Sequence, residues 1–116
     1  MAGGFSLVTL PPPPPPGLYA WGFNGYGGLG TNDAGAPRLS PTQVGVATTW
    51  SQISTGNFAT AAIKTDGTLW SWGYNTNGQL GTNDRVYRSS PVQVGAATTW
   101  SQVSVGTYST AAITTN

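Results

Sequence analysis

One stretch of sequence occurs twice in this chain, and that duplication constrains the fold more than any other feature. Leu18-Tyr19-Ala20-Trp21-Gly22-Phe23-Asn24 returns as Leu69-Trp70-Ser71-Trp72-Gly73-Tyr74-Asn75, an offset of 51. Gly27-Gly28-Leu29-Gly30-Thr31-Asn32-Asp33 returns as Gly78-Gln79-Leu80-Gly81-Thr82-Asn83-Asp84 at the same offset. One residue is then lost in a loop and the offset falls to 50. Pro41-Thr42-Gln43-Val44-Gly45 matches Pro91-Val92-Gln93-Val94-Gly95, Ala47 through Ser54 matches Ala97 through Ser104, and Gly56 through Ile63 matches Gly106 through Ile113. A piece that returns at a fixed period is a supersecondary unit that needs a neighbour to bury its apolar face.

Each unit reads as four short strands. In the first they are expected near Leu18–Phe23, Thr42–Val44, Trp50–Thr55 and Thr60–Lys64. Gly, Asn, Asp and Pro clusters lie between them and supply turn chemistry. Thr65-Asp66-Gly67-Thr68 is the clearest hairpin, and the Asp-Gly pair favours a type I′ turn. Glycine is 17 of 116 residues, proline 9, and charged residues only 6%. Few strong helix formers remain, so the class is all-β. Four strands per unit fit one propeller blade, which gives two blades, about 18–68 and 69–116.

The residues of these units resemble a known family. Trp72-Gly73-Tyr74-Asn75-Thr76-Asn77-Gly78-Gln79-Leu80-Gly81 is similar to the core of the RCC1 repeat, W-G-x-N-x-x-G-Q-L-G. The Ser-Pro-x-Gln-Val segment and the Ala-Ala-Ile to Asp-Gly-Thr-Leu-Trp passage carry the same resemblance, from Leu18 to Asn116. The first unit departs at Gly28, where the family has Gln. The resemblance implies a β-propeller, usually a closed ring of about seven blades in one chain. It implies recognition through face loops, as in exchange factors, chromatin binders and protein inhibitors. No exchange-factor residues carry over.

Two blades leave open faces and free strand edges. The second unit stops at Ala111-Ala112-Ile113-Thr114-Thr115-Asn116, where the next element due is the Leu-x-x-Trp-Gly strand. Such a strand opens the repeat region at Leu18, Tyr19 and Trp21. The last strand, with Ala111, Ala112 and Ile113, is therefore expected to pair with the first strand of another copy. Head-to-tail contacts that close make rings. A trimer is favoured and a tetramer fits as well. The rival expectation is a piece of a longer protein: Met1, the arm and the proline tract argue for a natural start, while Asn116 is open to truncation.

Ahead of the repeat lie an apolar arm, residues 1–10, and six prolines, residues 11–16. The tract spans roughly 19 Å as polyproline II and acts as a stiff spacer. Either it is a plain linker, or the arm anchors the chain to another structural protein through Phe5, Leu7, Val8 and Leu10. No basic n-region or membrane-spanning stretch is read. A net charge of +1 offers no footprint for nucleic acid.

Catalytic means are scarce: no His, no Cys, and Asp33, Asp66 and Asp84 as the acids. Asp33 and Asp84 recur at equivalent turns, which backbone geometry explains more simply than catalysis. No catalytic, cofactor or metal residue is assigned, and no cofactor is expected. Trp21, Trp72, Trp50 and Trp100 recur in register and read as blade packing. The units differ most at Ala34–Ser40 against Arg85–Ser90, which makes Arg38, Arg85, Tyr87 and Arg88 the candidate face-loop contacts. Asn57-Phe58 against Thr107-Tyr108, and Tyr26 against Asn77, are weaker candidates. The expected function is a non-enzymatic structural protein, a virion decoration, vertex or tail-associated component of a tailed bacteriophage. A glycan-binding adhesin or inhibitor-like propeller is the alternative.

Overall fold

The computed structural model describes residues 14–115. The arm residues Phe5, Leu7, Val8 and Leu10 lie outside them, as do Pro11 to Pro13. The described residues form eight strands: β1 (Tyr19–Gly22), β2 (Arg38–Gln43), β3 (Trp50–Thr55), β4 (Ala59–Lys64), β5 (Leu69–Gly73), β6 (Arg88–Gln93), β7 (Trp100–Val105) and β8 (Thr110–Thr114). The fold is all-β, and these residues include no helix.

The strands group as a pair, β1-β2, an antiparallel four-stranded blade, β3-β4-β5-β6, and a second pair, β7-β8. The blade therefore straddles the repeat boundary. The expectation of one blade per unit is corrected to one whole blade flanked by two half-blades. The cause is the hairpin at residues 65–68, which lets β4 turn straight into β5 and pair with it across five registered positions.

That hairpin also differs from the type I′ turn. Only Gly67 has positive φ, at 83°. The Gly67 N–H donates to the Lys64 carbonyl at 2.9 Å, and Lys64 N–H to the Thr68 carbonyl at 3.0 Å. This is a type I turn followed by a left-handed glycine, the other common hairpin solution. Asp66 holds it, accepting from the Thr68 N–H at 3.0 Å and its hydroxyl at 2.6 Å.

Strands β2 and β6 begin earlier than the sequence suggests, at Arg38 and Arg88, which pair with Gly22 and Gly73 past a bulge. Both contain proline, at 41 and 91, and both lie at the edge of their sheets, where a missing N–H donor is tolerated.

The period-2 pattern of the blade gives it two apolar faces. Ala59, Ala61, Ile63 and Leu69 face β7-β8 and join Leu80 and Val105. Ala62 and Trp72 face β1-β2 and join Leu18 and Val44. Neighbours on both sides bury β4 and β5 almost completely. β8 repeats Thr-Ala-Ala-Ile from β4, yet Ile63 is 2% exposed and Ile113 57%. The residues are the same; among the described residues β4 is paired on both edges and β8 on one.

Candidate functional site

The junction between β1-β2 and the blade shows what a closed blade contact looks like. Trp72 is its centre, fully buried among Leu18, Val44 and Ala62. Its indole Nε1–H donates to the Gly28 carbonyl at 3.0 Å. The same carbonyl accepts the Thr60 hydroxyl at 2.8 Å. Trp50 meets Trp72 edge-on at 6.0 Å. Lys64 caps the outer end, its Nζ 4.0 Å from the Trp70 ring centroid, a cation–π contact. Gly73, at φ +108°, is required here: a Cβ would strike the Phe58 carbonyl and come within 3.2 Å of Gly28 Cα.

The other ends are open. β1 pairs only with β2 and β8 only with β7, so each presents one unpaired edge among the described residues. Trp21, the repeat equivalent of Trp72, is 60% exposed. Tyr19 is half-buried and its hydroxyl donates to the Pro15 carbonyl at 2.8 Å. Ala111 is exposed and Ala112 half-buried against the β7-β8 side of the blade. The expected pairing residues thus lie on two opposite open half-blades: Leu18, Tyr19 and Trp21 on one, and Ala111, Ala112 and Ile113 on the other. Beside β8 a cleft of about 360 Å³ is lined by Leu69, Val94, Trp100 and Ala112.

The loops carry a second arrangement, repeated once per unit. Asn24 and Asn75 are buried amides, each accepting a backbone N–H, from Leu29 at 3.2 Å and Leu80 at 3.0 Å. Their Nδ2 groups donate to Asp33 at 2.8 Å and Asp84 at 3.1 Å. Thr31 and Thr82 donate to the same carboxylates, at 2.7 and 2.8 Å. Arg38 pairs with Asp33 at 2.6 Å and Arg88 with Asp84 at 2.7 Å. Asn32 and Asn83 sit left-handed in these turns, at φ 65° and 62°. Arg38 and Arg88 are therefore strand residues engaged by an aspartate, whereas Arg85 is exposed in its loop.

The Thr31 hydroxyl, with the Asn24 amide and Arg38, holds the Asp33 carboxyl below its ordinary pKa. The Thr82 hydroxyl and Val86 N–H do the same for Asp84, and the Thr68 hydroxyl and N–H for Asp66. A carboxyl with a lowered folded-state pKa adds stability above its unfolded pKa and loses it as pH falls through the folded value. The chain has no His and no other side-chain carboxyl. Its denaturant midpoint should stay level from pH 5 to 8 and drop below about pH 4. Equilibrium unfolding across pH checks this, and an Asp33→Asn, Asp84→Asn double variant should flatten the acid limb.

Tyr87 belongs to a cluster of five rings. Phe23, Tyr26, Phe58, Tyr74 and Tyr87 have centroids 4.8–6.0 Å apart, mostly edge-on. The Tyr87 hydroxyl shares a hydrogen bond with Thr76 at 2.9 Å. Phe23 and Tyr87 remain exposed. Sequence reasoning singled out Tyr87, Phe58 and Tyr26 separately but missed Phe23 and Tyr74, whose repeat equivalence masked their contact with residues unique to one unit. Among the described residues, no group of three or more His, Cys, Asp or Glu is placed to hold a metal.

Residues 17–63 and 66–113 match the family described as regulator of chromosome condensation (RCC1) repeat, and residues 50–79 match a second family of that description. The chain is 33% identical over 76 residues to the RCC1 domain-containing protein RUG3, mitochondrial, of Arabidopsis thaliana, covering 60% of this chain and 17% of that protein. It is 36% identical over 74 residues to the Ultraviolet-B receptor UVR8 of the same plant, covering 62% and 17%. Among solved structures it is similar to human WBSCR16, with a TM-score of 0.69, 23% identity and coverage of 85% and 27%. It is also similar to a chain in the crystal structure of Kap60 bound to yeast RCC1 (Prp20), with a TM-score of 0.73, 19% identity and coverage of 83% and 25%. The chain thus spans about a sixth of either plant relative.

Proposed function

Because this chain belongs to the regulator of chromosome condensation (RCC1) repeat family, we propose that it is a non-enzymatic protein-binding module whose propeller is completed by further copies of itself. The observation that carries this reading is the pair of open half-blades. β4 pairs with β5 as Ala61↔Ser71, Ala62↔Trp70 and Ile63↔Leu69. The repeat offsets carry that register to Ala111↔Ala20, Ala112↔Tyr19 and Ile113↔Leu18 between copies. Tyr74 N–H donates to the Phe58 carbonyl at 2.9 Å, and the equivalent bond joins Phe23 to Tyr108. A blade and two halves amount to two blades per copy. Three copies give six blades and four give eight, within the range of about 4–8 for propellers.

Mass measurement of the purified 11.9 kDa chain tests this. A discrete trimer is the expected result, and a tetramer supports the same closure. A chain that stays monomeric at every concentration overturns it. A second reading has one observation in its favour. The match covers only 17% of each plant relative, and on this reading further repeats of one longer polypeptide, rather than further copies, pair with β1 and β8.

The ring reading extends to placement. An apolar arm behind a stiff proline spacer suits an anchored display protein, and we favour a virion component of a tailed bacteriophage. The support is the arm and spacer in the sequence. Deleting residues 1–16 should leave the ring intact and abolish attachment to a larger particle. The exposed rings of Phe23 and Tyr87 favour the alternative of a glycan- or protein-binding face. Glycan binding by the arm-deleted ring would support that face over anchored display.

A further inference from the structure

The residues that enclose Trp72 have counterparts in the second unit, and those counterparts line the cleft beside β8. Leu18, Gly28, Gly30, Val44, Trp50 and Ala62 correspond to Leu69, Gln79, Gly81, Val94, Trp100 and Ala112, all on the cleft wall. Trp100 supplies the counterpart of Trp50, but among the described residues the second set has no counterpart of Trp72 itself. A Cβ on Gly30 would lie 2.7 Å from Trp72 Nε1, whereas on Gly81 it would meet only Val94 Cγ1, at 3.1 Å. The Gly28 carbonyl accepts both Thr60 and Trp72. The Gln79 carbonyl accepts Thr110 at 2.8 Å as its counterpart bond, and among the described residues no indole N–H donates to it. Gln79 is 5% exposed, and its buried Nε2 has no partner. The repeat equivalent of Trp72 that stands free in this chain is Trp21, on the opposite open half-blade.

We infer that the cleft beside β8 is a receptor for the Trp21 indole of a second copy, which donates its Nε1–H to the Gln79 carbonyl. The inference rests on the head-to-tail reading and adds its specificity element. Backbone pairing alone accepts any strand edge. A large ring entering a fitted cleft selects the Leu-x-x-Trp-Gly strand and its register, because a one-residue slip turns Trp21 to the other face.

Nuclear magnetic resonance of the indole N–H groups in the full, assembled chain tests it. There are five tryptophans, and the Trp21 signal is the one lost in Trp21→Phe. In the assembly, Trp21 Nε1–H should resist exchange with solvent as strongly as Trp72 Nε1–H. Trp21→Ala should weaken association on the order of a hundredfold, the scale of a buried aromatic anchor. Trp21→Phe, which keeps the ring and loses the donor, should weaken it about tenfold or less. A ring in which Trp21 exchanges freely, or which forms equally well with Trp21→Ala, overturns the insertion and leaves ring closure standing. A chain that stays monomeric at every concentration overturns both.

Discussion

Trp72→Ala is expected to cost this chain about 3–5 kcal/mol, a third or more of the stability of an ordinary small domain. Trp72 is the largest fully buried side chain between β1-β2 and the blade. Its loss leaves a cavity walled by Leu18, Val44 and Ala62, and takes one of two donors from the Gly28 carbonyl. The damage should be local first. Amides of β1 and β2 should lose hydrogen-exchange protection before those of β7 and β8, whose contact with the blade runs through Ala61, Ile63 and Val105 on the opposite face. Denaturant titration in dilute solution measures the whole effect. Trp21→Ala is the matched control: same residue type, same repeat position, but 60% exposed. It should change the stability of a single copy by about 0.5 kcal/mol or less. Equal effects for the two variants would contradict the assigned packing.

Asn75→Ala should cost about 2–4 kcal/mol. Asn75 is fully buried, and its Oδ1 accepts the buried Leu80 N–H at 3.0 Å. Its Nδ2 lies within bonding distance of the Asp84 carbonyl at 3.0 Å and the Val86 carbonyl at 3.0 Å, as well as the Asp84 carboxylate. Alanine leaves the Leu80 donor unmatched, and that desolvation cost outweighs the modest net worth of the bonds themselves. The loop from Thr76 to Tyr87 is then untied, so the Tyr87 ring should leave Tyr74 and its signal should sharpen in a spectrum of the variant. Asn75→Asp separates the two roles. It keeps an acceptor for Leu80 N–H but sets a second carboxyl against Asp84, so its penalty should grow as pH rises through the carboxylate range. An Asn75→Ala protein as stable as the parent would mean the amide does not hold the loop.

Much of this molecule can be read without coordinates. The strands β3 and β4, the hairpin position, and the structural roles of Asp33 and Asp84 follow from alternation, turn residues and recurrence. The phase of the blade does not follow. A repeat unit can be cut at any point of its period without changing the sequence, and only the pairing of β4 with β5 across the reversal at residues 65–68 shows that one sheet spans the boundary. The turn type was also beyond reach, because Asp-Gly serves two hairpin geometries and the Thr68 contacts to Asp66 select one. From the sequence, Arg38 and Arg88 read as candidate face-loop contacts. Each is engaged by an aspartate four or five residues earlier, a pairing that depends on where β2 and β6 begin.

By itself, the sequence determined the all-β class, the repeat and its family, because these depend on local alternation and on residues recurring in order. Only the tertiary structure decided which of two equivalent residues is buried: Trp72 and Ile63 lie in a core while Trp21 and Ile113 face outward. Burial is a property of neighbours in space, and the identical Thr-Ala-Ala-Ile stretches of β4 and β8 differ in nothing else.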